Sequence, residues 1–293
     1  FSLSGGTNVI QAEAVDAAGN IRLIERKVTR QQDSQLLRLD NPGKILSKTE
    51  EVAISGWLLP GAHLLVNKTP VQARGDFTYL LQLSEGEHEV RVEAVGQDGQ
   101  QEGRSLQVLI DLHAPEMKIG DMEQATADGQ IIVKGSVTEE GIVTLNKKPV
   151  KLTELKFEET VSLTEGSNEL LLEAQDAAGN KSFWRKTVLR DSQPPEILQH
   201  EVLPRISKGG EVVWLTVRAR DKGAGLARSG SFTLEVKGTF FQGILNRSSE
   251  DSTMYSGSVL VLPGVSGTVR VREIRVQDLL GNLAEYRVNK KGR

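Results

Sequence analysis

The residues that could do chemistry in this sequence are a recurring turn carboxylate, four histidines and three tryptophans. The carboxylate opens Asp16-Ala17-Ala18-Gly19-Asn20, Asp176-Ala177-Ala178-Gly179-Asn180 and Asp278-Leu279-Leu280-Gly281-Asn282. An aspartate can accept backbone N–H groups about two residues on, and glycine supplies positive φ, so the pattern makes a self-contained turn. An oxygen-rich turn beside a second carboxylate could also hold calcium, and Asp176 and Asp191 are expected to approach one another at one end of a domain. Calcium takes about six to eight oxygens. Two carboxylates per joint fall short of that, and the copy Gly96-Gln97-Asp98-Gly99-Gln100 has lost the leading acid. No metal ligand is assigned.

Other candidates resolve similarly. Asp221-Lys222-Gly223-Ala224-Gly225-Leu226 is rich enough in glycine to cradle an anion. No helix follows and no Lys-Ser/Thr pair ends it, so it is not a phosphate-binding loop but a turn needing glycine dihedrals. His63, His88, His113 and His200 are scattered without metal-ligand spacing. There is no Gly-x-Ser-x-Gly nucleophile elbow. Glu89 and Glu93 fall on outward strand steps, a solvated face rather than an apolar pocket that would tune a catalytic acid. The sequence therefore offers no catalytic, cofactor-binding or metal-binding residue, and the expectation is a protein that is not an enzyme and carries no cofactor. Of the tryptophans, Trp57 follows a strand glycine and is replaced by Ser136 in the matching position, which makes it a surface feature. Trp214 takes an outward step among many apolar neighbours and reads as packing. With Trp184, they do not make one sugar-stacking platform.

The elements that must position these turns are β-strands. Leu170, Leu172 and Ala174 alternate with polar or outward residues before Asp176, as do Ile10, Ala12 and Ala14 before Asp16 and Val90, Val92 and Ala94 before Gly96. That is a strand with one buried face entering a hairpin. The step between copies is 80 residues, and the copy at Asp278 follows 102 residues after Asp176. Other marks repeat in register. Asn67-Lys68-Thr69-Pro70-Val71 matches Asn146-Lys147-Lys148-Pro149-Val150, Gly56 matches Gly135, Phe77 matches Phe157, and Asp111 matches Asp191. A fixed step of this length filled with short strands marks a tandem β-sandwich array.

The chain has 293 residues, too many for one such sandwich. The expected domains are 1–33, the closing part of a sandwich that begins upstream; 34–111 and 112–191, two regular sandwiches; and 192–293, a larger atypical one. Residues 31–35 form a polar joint, while Ala114-Pro115 and Pro194-Pro195 stiffen the later joints. The net charge of −3 gives no basic field for nucleic acid, and no apolar run is long enough to span a membrane. Without cysteine, neither disulfides nor zinc–thiolate sites are available.

The order Asn-x-x-Pro-Val, Phe, Glu-Gly, alternating strand, Asp-Ala-Ala-Gly-Asn, strand, Asp, Pro resembles bacterial immunoglobulin-like repeats of the kind found along surface proteins and beside polysaccharide-cleaving enzymes. The resemblance implies an all-β fold, tandem immunoglobulin-like β-sandwiches in an elongated array. Three and a half modules with strands of roughly 26 Å and their loops would span on the order of 120 Å. It further implies a non-catalytic structural, spacing and protein-interaction segment of the bacterial cell envelope, in the periplasm or at the cell surface. Its partners would be envelope proteins or a glycan. The docking residues are expected in the terminal domain, around Asp221–Ser231 and Asn246–Ser256. The alternatives are a carbohydrate-binding or accessory module of a polysaccharide-active enzyme, and a structural subunit of a larger envelope assembly.

Overall fold

The computed structural model describes Leu3 and residues 6–30, 35–41 and 43–288. The polar joint at 31–35 falls largely outside the described residues, as does the boundary expected at 33/34. Every regular element among the described residues is a β-strand. Two compact units are formed, one of Phe1–His113 with the turn Ala177–Asn180, the other of Ala114–Asp176 with Lys181–Arg293.

In the first unit, β1 (Gly6–Val15) and β2 (Ile21–Arg30) pair antiparallel as a two-stranded sheet. Ile10, Ala12 and Ala14 occupy the positions that Val90, Val92 and Ala94 fill in the following sandwich. There the trio is wholly buried; here Ala12 and Ala14 are exposed, with Ile24 and Val28. Two strands alone cannot bury a face.

The complete sandwich that follows uses β3 (Leu37–Leu39), β4 (Lys44–Ser47), β5 (Glu51–Leu58), β6 (His63–Val66), β7 (Thr69–Val71), β8 (Gly75–Gln82), β9 (Gly86–Val95) and β10 (Gln101–Ile110). One sheet runs β3-β5-β8, the other β4-β10-β9-β6-β7, with β4 parallel to β10. Alternation puts Val52, Ile54 and Leu58 of one sheet against Leu64, Val90, Val92 and Val108 of the other. Each such side chain contributes about 1.5–3 kcal/mol on full burial.

In the second unit the same plan recurs with β11 (Met117–Ile119), β12 (Ala125–Thr126), β13 (Gln130–Val137), β14 (Ile142–Leu145), β15 (Lys148–Val150), β16 (Lys156–Ser162), β17 (Gly166–Gln175) and β18 (Lys181–Arg190). Its sheets are β11-β13-β16 and β12-β18-β17-β14-β15, with β12 parallel to β18. Val133, Leu145, Leu170, Leu172 and Val188 form its core.

The repeated sequence marks have repeated physical causes. Asn67 and Lys68 both have positive φ, as do Asn146 and Lys147, which gives the two-residue turn that matches strand twist. Asn67 Oδ1 accepts from Arg91 N at 2.9 Å, and Asn146 Oδ1 from Leu171 N at 2.8 Å. The side chain thus ties the turn to the next strand. Gly56 and Gly135 are conserved between the copies for space. A Cβ on Gly56 would lie 2.1 Å from Arg38 O, and one on Gly135 2.7 Å from Phe157 Cζ.

The last sandwich is built differently from the two before it. It comprises β19 (Glu196–Leu203), β20 (Ile206–Ser207), β21 (Val212–Arg220), β22 (Leu226–Val236), β23 (Thr239–Arg247), β24 (Met254–Leu260), β25 (Gly267–Asp278) and β26 (Leu283–Arg287). These join as one continuous eight-stranded sheet, β19-β21-β24-β23-β22-β25-β20, with β26 on β25. The sheet wraps a core of Leu215, Val217, Phe232, Leu234, Tyr255 and Ile274. Register shifts at Ile197/Gln199 and Thr233/Leu234 supply the bending that a closed-up sheet needs.

Candidate functional site

The turn carboxylates do what local chemistry asks of them. Asp278 Oδ1 accepts from Leu280 N and Asn282 N, each at 2.8 Å, and its Oδ2 accepts from Asn282 Nδ2 at 2.6 Å. Asp16 makes the same set with Ala18 and Asn20, and these bonds hold its carboxyl below the usual carboxylate range, Asn20 contributing most. Gly19, Gly179 and Gly281 sit at positive φ.

The final asparagine does more than close its own turn. In the second unit, Asn282 Nδ2 also donates to Asp191 O at 2.8 Å, reaching the residue that ends the preceding sandwich. In the first unit, Asn180 Nδ2 donates to Asp111 O at the same distance. Asp111 and Asp191 are matched again by their own backbone, donating to Ser47 O and Thr126 O. One polar device therefore serves both positions.

Around Asp191 three carboxylates gather. Asp191, Asp221 and Asp278 each bring an oxygen within 4.8 Å of the others, and Asp191 and Asp278 are buried. Asp191 Oδ2 accepts from Ala224 N at 2.6 Å and its Oδ1 from Gln193 N at 3.2 Å. Asp221 Oδ2 accepts from Gly223 N and Gly225 N. Each acid accepts from backbone donors, which favour its charged form. A Cβ on Gly223 would lie 2.2 Å from Asp191 Oδ2, so glycine is required where this turn meets that carboxylate.

One expectation is corrected here. Asp176 does not join Asp191, because ten-residue β18 separates the turn at 176–180 from residue 191. At about 3.3 Å per residue the two lie at opposite ends of the strand. Asp221–Ser231 is a turn followed by a strand. Its glycine turn is bonded to Asp191, and its second half is β22, paired on both sides by β23 and β25. In the other expected region, Asn246–Ser256, Asp251 Oδ1 accepts from Thr253 Oγ1 and N. Those bonds, with Thr253 first, lower its carboxyl, so this loop is also held by its own residues.

The histidines lie apart from one another, but His113 gathers with Glu85 and Asp111, each bringing an atom within 4.8 Å of the others. His63 lies on β6, His88 Nε2 meets Ser84 O at 2.8 Å, and His113 Nδ1 meets Glu85 at 2.5 Å. His200 packs against Tyr286 with ring centroids 4.7 Å apart, and burial pushes its imidazole pKa down. Trp57 is half-buried on the outer side of β5, and Trp184 packs on the core of its sandwich.

Trp214 was expected to pack but does not. It is 54% exposed, at the centre of the outer face of β19, β21, β24 and β23. Leu203 lies directly across on β19 and Ser258 directly across on β24. Val212, paired with Leu260, and Ile244 on β23 extend the apolar surface, and all three are exposed. The sequence signal was present: Trp214 alternates with buried Val213 and Leu215. The apolar residues at Val212 and in neighbouring strands share the exposed face rather than covering it.

No family model matches the chain. Over 158 residues, 50% of this chain, the sequence is 26% identical to bacillopeptidase F of Bacillus subtilis, and the chain spans 11% of that protein's length. Among solved structures, the fibronectin(III)-like modules of Clostridium thermocellum CbhA align with a TM-score of 0.37 at 13% identity, covering 53% of this chain and 95% of theirs. A 1.5-MDa bacterial ice-binding adhesin aligns at 0.37 and 16% identity, covering 87% and 96%. A tetra-tandem repeat from the extending region of a large adhesion protein aligns at 0.33 and 17% identity, covering 98% and 82%.

Proposed function

We propose that this segment is a non-catalytic spacing and protein-interaction array of a bacterial cell-envelope protein, docking through its last sandwich. The domains are 1–33, 34–111, 112–191 and 192–293, and the partner is another envelope protein. The observation that carries the docking reading is the outer face around Trp214. A tryptophan amid Leu203, Val212, Ile244 and Leu260 is the composition of an interface centre, and an exposed apolar patch of this kind marks an interaction surface. Polar Gln242, Ser256 and Thr216 surround it, as a rim would.

The test is capture of envelope proteins on the immobilised chain, comparing Trp214→Asp and Ile244→Asp with Lys68→Asp on the first sandwich. A buried aromatic anchor costs about 2 kcal/mol or more on truncation, roughly thirtyfold in affinity. Both face variants are expected to lose the captured partner at least to that extent while Lys68→Asp retains it. Equal capture by all three rejects docking through this face.

A further inference from the structure

Charge is not spread evenly along this chain. Residues 34–191 hold seventeen Lys and Arg against twenty-five Asp and Glu, whereas residues 192–293 hold fifteen against ten. The last sandwich is thus a basic module following two acidic ones. Its turns at Asp221 and Asp278 lie at the end where Asp191 leads in. The strands carry the chain to the opposite end, where three segments meet: 204–211, the Lys237-Gly238 turn and 261–267. Gly210 N donates to Val261 O at 2.8 Å and Val261 N to Glu211 O at 3.0 Å. Ser207 pairs with Gly267, where an added Cβ would lie 3.9 Å from Lys237 Cβ. Arg205, Lys208 and Lys237 are exposed here, and none is in an ion pair among the described residues. Glu211 is half-buried, and its Oε2 accepts from Lys208 N at 3.0 Å. Arg270 lies across from Glu235 and adds no free charge.

The same segments present apolar side chains to water. Ile206 is 65% exposed and Leu262 56%. Ile206 is fixed by its pairing with Thr268 in β20. Leu262 opens the turn Leu262-Pro263-Gly264-Val265, closed by Val265 N donating to Leu262 O at 3.1 Å, with Gly264 at positive φ. Two single apolar prongs among unpaired cations differ from a protein-interface centre, which gathers apolar residues and is depleted in Lys. They match a negatively charged bilayer surface, whose headgroups attract each cation and whose acyl boundary takes apolar side chains. We propose that this end of the last sandwich rests on an anionic bilayer, with Ile206 and Leu262 entering the acyl boundary and Arg205, Lys208 and Lys237 at the headgroups. Neither signal suffices alone, since stable surface binding takes an apolar anchor together with a basic patch. The contact is reversible and weakened by salt. It does not rest on the Trp214 face, and vesicles free of protein test it separately.

Co-sedimentation of the full chain with vesicles is the test, using phosphatidylcholine alone and an equal mixture with phosphatidylglycerol. The mixed vesicles are expected to bind the chain, less tightly as salt rises, and the neutral ones to leave it in solution. Each cation near such a surface is worth about fivefold, so Lys208→Glu with Lys237→Glu should weaken binding by about 25-fold or more. Ile206→Ser with Leu262→Ser should weaken it about tenfold or more. Lys68→Glu, on the exposed turn of the first complete sandwich, should bind like the parent chain. All three variants change exposed side chains and are expected to unfold at the parent's urea midpoint. The proposal is overturned if the mixed vesicles do not bind, if the neutral ones bind as tightly, or if the lysine double variant binds like the parent. Unchanged binding of the Ile206 and Leu262 double variant overturns it as well, because the site would then serve a soluble polyanion rather than a bilayer.

Discussion

Glu235→Ala is expected to destabilise the last sandwich by about 3–5 kcal/mol, read from urea denaturation. Glu235 and Arg272 are paired across β22 and β25, and their side chains are only 12% and 15% exposed. The pair sits where β25 is bulged opposite Thr233/Leu234, so Arg272 is turned onto the carboxylate that Arg270 faces in register. Removing the carboxylate leaves a guanidinium with little water and no counter-charge. The net worth of the intact pair is far smaller, because desolvation offsets most of its attraction. Replacing both residues together, Glu235→Met with Arg272→Met, should therefore cost much less than Glu235→Ala alone. Comparable losses in the single and double variants would mean that packing at this site, not charge, sets the effect.

Asp278→Ala should cost about 2–4 kcal/mol, since it orphans several part-buried donors at once. Leu280 N, Asn282 N and Asn282 Nδ2 all point to this carboxylate, and Asn282 then reaches Asp191 O. Two effects oppose each other here. The carboxylates of Asp191, Asp221 and Asp278 repel at close range, while fixed backbone dipoles hold each in place. Asp278→Asn separates them, because it removes one charge but keeps one acceptor oxygen. A loss of stability in Asp278→Asn, smaller than in Asp278→Ala, is expected if the donors dominate. A gain would show that repulsion dominates and that the turn is held by something other than its acid.

Much of this architecture was written locally. The alternation of Leu170, Leu172 and Ala174 gives β17 its buried face, and the Asn67-Lys68 and Asn146-Lys147 pairs give two-residue turns because both sites adopt positive φ. The Asp-to-Asn turns were equally legible, since each carboxylate's partners lie within four residues. Features that depend on strand order were not. The last sandwich carries strands of the same kind, yet they join as a single sheet, and no periodicity encodes which edges meet. The meeting of Asp191 with Asp221 and Asp278 joins residues from three distant segments, which no local pattern marks. The cleft lined by His200, Arg205 and Tyr286 draws on β19, β25, β26 and the link after β19, with no motif in any of them. Trp214 lay between: its outward step was readable, but whether another layer covers that face was not.

The docking face can be mapped directly by hydrogen–deuterium exchange of the full chain with and without its captured envelope partner. Protection is expected over β21, β24 and β23 together with the end of β19, around Leu203, Trp214, Ile244 and Leu260. Protection confined to the sandwich at 34–111, with these strands unchanged, would contradict docking through the last sandwich.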